Sequence, residues 1–108
     1  MKLYIGGCGQ GQEELARREN PGCEIITGFH TMVREWLKDN ADAMDNTATL
    51  CDKHPQAVIV SDEIGCGVVP ISRDERFWRE QTGRSLCMIA GQAEAVVRVI
   101  CGIGVRIK

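Results

Sequence analysis

At 108 residues, 44% of them hydrophobic and 26% charged, the chain has the size and balance of one globular domain spanning 1–108. Its net charge of −2, without a basic run or basic–aromatic interleaving, argues against nucleic acid and acidic lipid as partners. No apolar stretch approaches the roughly 20 residues of a membrane span, and the opening MKLYIGG is too short for a secretory leader, so a cytoplasmic protein without a membrane partner is expected.

In chain order, residues 2–5 (KLYI) read as a short strand that stops at Gly6-Gly7. Residues 12–19 (QEELARRE) read as a helix, with Glu13 and Glu14 in the first turn and Arg17 and Arg18 in the last, an order that suits the helix dipole. Asn20-Pro21-Gly22 breaks the chain, and 23–27 (CEIIT) is a second strand. His30 to Leu37 has Met32, Val33, Trp36 and Leu37 on one stripe and reads as a helix, followed by a second helix over 41–53; His54 falls in a loop. The apolar run 57–61 (AVIVS) is typical of a strand covered on both faces. Ser72-Arg73-Asp74-Glu75 has the form of a capping box, which predicts a helix from there into the nineties, interrupted near Gly83. Residues 96–101 and 105–108 are expected to close the chain as a hairpin around Gly102 and Gly104.

Strands alternating with helices predict an α/β fold with a mainly parallel sheet between helical layers. In such sheets ligands bind beyond the carboxyl ends of the strands. The segments Gly6–Glu13, Thr27–His30 and Asp62–Cys66 all follow strands and should gather along one edge. The six cysteines are widely spaced and lack a C-x-x-C pair, so no metal site is expected from them.

The segment VIVSDEIGCGVVPISRDERFWREQTGR with the tail ICGIGVRIK resembles the adenosylcobinamide kinase/adenosylcobinamide-phosphate guanylyltransferase family of cobalamin synthesis. That family carries an N-E-x-G-x-G-x-x-P loop after a strand. Here the loop reads Asp62-Glu63-Ile64-Gly65-Cys66-Gly67-Val68-Val69-Pro70, followed by Arg76-Phe77, Gly83-Arg84 and the Gly102–Lys108 tail. The resemblance implies a P-loop NTPase-like three-layer α/β sandwich, GTP or ATP with magnesium, a cobinamide ligand and a ring-like homo-oligomer.

Against the family's opening G-x-x-x-x-G-K-[ST], the chain has Gly6, Gly7, Cys8, Gly9, Gln10, Gly11, Gln12 and Glu13. The glycines suit a tight turn with inward N–H groups. Gln12 and Glu13, however, stand where a lysine and a hydroxyl residue belong. Thr27 stands where a P-loop enzyme's second strand ends in an acid. The family's middle section, with the histidine that carries the guanylyl group, has no counterpart between the first helix and the second strand. Leu86-Cys87 replaces a polar asparagine–glutamine pair. Loss of charge, metal ligation and covalent catalysis predicts a transferase homologue without transfer activity, a pseudoenzyme in which the loop is a weakened nucleotide cradle.

Asp62 and Glu63 read equally as ligand-recognising groups at a strand end or as a solvated loop pair. His30 has no orienting partner recognisable in the sequence, so a nucleophilic role is not assigned to it. The competing reading is a structural or regulatory subunit without ligand. The stripe of Met32, Val33, Trp36 and Leu37 reads first as core, but a sheet shortened by the missing section would expose apolar surface, with Met32, Trp36 and Leu37 as the expected contacts of a homo-oligomer.

Overall fold

The structure, a computed structural model, describes residues 1–65 and 72–108. Five strands form one sheet: β1 (Lys2–Gly6), β2 (Ile25–Ile26), β3 (Val58–Asp62), β4 (Ala95–Ile100) and β5 (Ile103–Arg106). Their spatial order is β2-β3-β1-β4-β5, parallel except for the antiparallel β4–β5 pair. The helices are α1 (Gln12–Glu19), α2 (Phe29–Lys38), α3 (Ala43–Lys53) and α4 (Arg73–Gln92). This is the expected α/β sandwich with a mainly parallel sheet.

Strand alternation sends the buried side chains of β1, β3 and β4 to opposite faces. On one face Leu3, Ile59 and Val96 meet Phe29 and Val33 of α2, Ala43 and Cys51 of α3, and Ile89 of α4. On the other, Tyr4, Val58, Val60 and Val99 meet Leu15 and Ala16 of α1. Gly104 lets α1 approach β5, because a Cβ there would stand 2.7 Å from the Leu15 side chain.

Caps fix the helix ends. The Asp42 carboxylate accepts from the N–H groups of Met44 and Asp45, and the Ser72 hydroxyl accepts from Glu75 N–H at 3.4 Å, the expected start of α4. Gly28, with a left-handed φ of 64°, turns the chain into α2. A buried network clamps α1 to the sheet. Tyr4 donates to Glu19 at 2.8 Å and accepts from Asn20 at 3.1 Å, while Lys2 donates to the Asn20 side-chain oxygen at 3.1 Å.

Three expectations are corrected. The second strand is only two residues long, because β2 is an edge strand that pairs with β3 at Ile25 and Ile26 alone. Helix α4 runs unbroken through Gly83, since its other residues supply enough packing to carry one glycine. The stripe of Met32, Trp36 and Leu37 is half buried against the main core and is not an open face. Among the described residues, the exposed large apolar side chains are instead Phe77, Ile100, Ile103, Val105 and Ile107. The last four sit on or just beyond β4–β5, whose two-residue turn, Cys101-Gly102, has positive φ at both positions, as tight hairpins require.

Among the described residues, no helix is long and apolar enough to cross a membrane.

Candidate functional site

The carboxyl ends of β1 and β3 lie side by side, with Gly6 paired in register to Asp62. The chain leaving β1 forms the glycine loop and that leaving β3 carries Asp62 and Glu63, so the parallel register alone brings two sequence-distant segments together. A cleft of about 320 Å³ opens there, lined by Gly9, Gly11, Gln12, Glu13, Thr27, His30, Ser61 and Asp62 among others. Thr27 and His30 come from the β2–α2 junction. Of the expected site segments, Cys66 to Pro70 lie outside the described residues.

The loop is held in place from two sides. Gly9 and Gly11 adopt left-handed φ values of 72° and 89°, which only glycine takes at little cost. Gln10 ties the loop to the hairpin turn: its carbonyl accepts from Gly102 N–H and its side-chain oxygen from Cys101 N–H, both at 2.7 Å. Gly7 contributes a carbonyl that accepts from Gln10 N–H at 3.3 Å, and Cys8 is exposed on the outside of the turn.

Gln12 occupies the interior. Its side chain is buried at the start of α1, and its amide nitrogen donates to the carbonyls of Gly6 (3.2 Å) and Gly7 (3.1 Å) and to Asp62 Oδ1 (2.7 Å). The third bond has a charged acceptor and is the strongest of the set. The amide oxygen is buried with no hydrogen-bond partner among the described residues. Sequence reading registers Gln12 only as a missing charge, whereas the side chain fastens the loop to β3.

Glu13 does not reach into this arrangement. Its carboxylate pairs with Arg17 one turn on, at 3.1 Å on the exposed side of α1. The described lining of the cleft includes no lysine or arginine. The cleft therefore offers backbone N–H groups and the α1 terminus, but among its described residues neither a lysine or arginine side chain nor a hydroxyl at position 13.

His30, unpartnered in the sequence reading, has a partner in the fold. Its Nδ1 accepts from the backbone N–H of Asp62 at 3.1 Å, and its Nε2 lies 3.5 Å from Asp62 Oδ2. The first bond exists because β2 ends at Ile26, leaving the outer N–H of Asp62 without a strand neighbour. An accepting Nδ1 places the ring proton on Nε2, toward the carboxylate. Trp78 of α4 donates from Nε1 to the His30 carbonyl at 2.8 Å, and Arg34 stacks over the Trp78 ring at 4.4 Å. A polar chain thus runs from α4 through His30, Asp62 and Gln12 into the glycine loop. Residues 30 and 62 are joined only by the register, and no local sequence signal announces the pair.

Asp62 and Glu63, read as one pair, part company. Asp62 belongs to the cleft, while the Glu63 carboxylate lies 3.6 Å from Arg98 on β4 and borders a different groove. Among the described residues, no three histidine, cysteine or carboxylate side chains stand together as a metal site.

A family model described as cobinamide kinase / cobinamide phosphate guanyltransferase matches residues 11–107. The bifunctional adenosylcobalamin biosynthesis protein CobU of Escherichia coli (strain K12) is 42% identical over 59 residues, which are 54% of this chain and 33% of that protein. The protein of the same name from Salmonella typhimurium (strain LT2) is 41% identical over 59 residues, with the same coverage of 54% and 33%. The matched segment spans about one third of the length of these curated relatives.

Proposed function

The chain belongs to the cobinamide kinase / cobinamide phosphate guanyltransferase family, and from that premise we propose that it is a ligand-binding homologue of cobalamin biosynthesis that transfers neither phosphoryl nor guanylyl groups. It holds a nucleotide or cobinamide weakly at the glycine-loop cleft. The observation that carries this reading is the Gln12 amide, spread over two loop carbonyls and Asp62.

Phosphoryl transfer is accelerated chiefly by positive charge placed on the transferring group and by a held metal ion. At this loop an uncharged amide fills the lysine position, and a carboxylate already paired to Arg17 fills the hydroxyl position. His30 does not serve as a nucleophile, because Nδ1 accepts from the backbone and Nε2 faces Asp62. The chain passes from α1 to β2 across residues 20–24 alone, so the histidine-bearing section that the resemblance implies has no place between them. Backbone N–H groups of a glycine loop still attract an anion, which supports weak nucleotide binding.

The test is a thermal-shift titration with GTP, ATP and cobinamide, with and without magnesium, on the native chain and on Gln12→Lys/Glu13→Ser. Ligand at about 100 times Kd stabilises by roughly 2.7 kcal/mol. The double variant is expected to bind GTP–magnesium more tightly than the native chain without gaining guanylyl transfer. Equal affinity in the two proteins would contradict the reading.

A second reading, a self-associating structural subunit, is favoured by Ile100, Ile103, Val105 and Ile107, each more than half exposed along β4–β5. Edge strands with apolar side chains invite another strand or another copy. Light scattering at micromolar protein is expected to give a mass above the monomer, and Ile103→Glu to lower it. A clean monomer mass for the native chain excludes this reading.

A further inference from the structure

We propose that His30 is the switchable cation of the glycine-loop cleft, so that a dianion of the phosphate or sulfate type binds there together with a proton on the imidazole. This rests on the reading of the cleft as a weak nucleotide site and names what governs it. Among the described residues lining the cleft, His30 is the one whose side chain can become positive. It is reachable from solvent: its side chain keeps 19% of its surface, and that of Asp62 keeps 28%.

In the neutral ring, Nδ1 accepts from the Asp62 N–H at 3.1 Å and Nε2 lies 3.5 Å from Asp62 Oδ2. A proton on Nδ1 turns this acceptor into a donor aimed at another donor, so the first bond is lost and the ring turns. Two consequences favour an anion. The imidazolium offsets the Asp62 carboxylate, which has no lysine or arginine partner among the described residues. The other carboxylate of the cleft, Glu13, is already paired to Arg17. The Asp62 N–H, which has no strand neighbour on that side, also becomes a free donor. Helices α1 and α2 both start at the cleft without a side-chain cap, and their N–H groups supply the fixed part of the attraction.

The groups facing the imidazole set the sign. Asp62 on β3 favours the proton, and the N-terminus of α2, where His30 is the second residue, opposes it. From α4 the Trp78 ring stands 6.5 Å away, with Arg34 over it and Glu75 paired to Arg34. A bound dianion adds to the side of the proton. By linkage the proton then tightens the dianion by the same factor. Affinity therefore rises as pH falls through the imidazole range and levels off once the ring is charged.

Sulfate is the probe, because its charge is constant across that range whereas a phosphate monoester takes up a proton near pH 6. It is titrated into ¹⁵N-labelled full chain at about pH 6 and about pH 8, within the histidine range, at ionic strength matched with chloride. Backbone amides and histidine ring signals are both followed. Affinity is expected to be about 3- to 10-fold higher at the lower pH. Sulfate should move the ring signals of His30 and leave those of His54, which does not line the cleft and pairs with Glu24 at 2.9 Å. His30→Gln should flatten the step to within about 2-fold, and His54→Gln should retain it. Should His30→Gln fail to fold, the native ring signals decide alone. Equal affinity at the two pH values, a step that survives His30→Gln, or His54 signals that move as far as those of His30 overturns the proposal. Nucleotide-induced stabilisation without a pH step leaves the weak-binding reading standing and this proposal refuted, whereas no response to sulfate or nucleotide at either pH refutes both.

Discussion

Two glycine-to-alanine substitutions should move stability in opposite directions. Gly6 ends β1 with an ordinary φ, so its backbone accepts alanine; the obstacle is space. A Cβ at Gly6 would stand 2.6 Å from the Val99 carbonyl oxygen and 3.3 Å from the Gln12 amide oxygen. The first neighbour is backbone in a paired central strand and cannot swing aside. Overpacking of this kind costs about 1–3 kcal/mol, offset by about 0.4–1 kcal/mol from the reduced freedom of the unfolded chain. The net is about 1–2 kcal/mol of destabilisation. With about 2.1 cal/mol/K of unfolding entropy per residue over 108 residues, each kcal/mol moves Tm by about 4 °C. Gly6→Ala should therefore lower Tm by about 4–8 °C. Gly83, inside unbroken α4 with nothing within 4 Å of a Cβ, should gain about 0.8–1 kcal/mol as alanine, a rise of about 4 °C. Scanning calorimetry of the three proteins reads both. A Gly6→Ala protein within about 1 °C of the native chain would refute the close approach of β1 to β4 at the loop.

Tyr4 is the chain's one tyrosine, so absorbance near 295 nm follows it alone. Burial, reinforced by its hydrogen bond to Glu19, raises its pKa, and the titration should have its midpoint above the ordinary value of 10.0. Because the folded value is the higher one, this contribution to stability is complete below the unfolded pKa and lost as pH climbs through the folded one. A midpoint at or below 10.0 would contradict the buried clamp. Burial, and after it the charge of Asp52, pushes the Cys51 thiol pKa up, while Cys8, Cys23, Cys87 and Cys101 are exposed. Peptide mapping after brief alkylation should find those four modified well before Cys51, and equal labelling would argue against the α3 packing.

What the sequence disclosed divides by the range of the signal. The apolar run at 57–61, the charge order of 12–19 and the capping box at Ser72 are local, and β3, α1 and α4 stand close to where they predict. Gly83 misleads because local propensity is weak beside tertiary packing. The stripe of Met32, Trp36 and Leu37 is truly amphipathic, and its packing on the core beneath α2 is the reading its periodicity favours over an open face. The glycine loop is recognisable by composition. The partnership of His30 with Asp62, and the Gln12 bonds to both strand ends, depend on a parallel register between segments tens of residues apart. Exposure of Ile100, Ile103, Val105 and Ile107 follows from β5 being an edge strand, which only the strand order reveals.

The central claim is that a loop fastened by an amide, without a cation at its interior, does not support group transfer. A coupled assay of GTP consumption with adenosylcobinamide, magnesium and the purified full chain addresses it directly. The account predicts a rate indistinguishable from the enzyme-free control, in the native chain and in Gln12→Lys/Glu13→Ser alike for guanylyl transfer. Cobinamide-dependent GTP turnover that rises in proportion to the native protein added would contradict it.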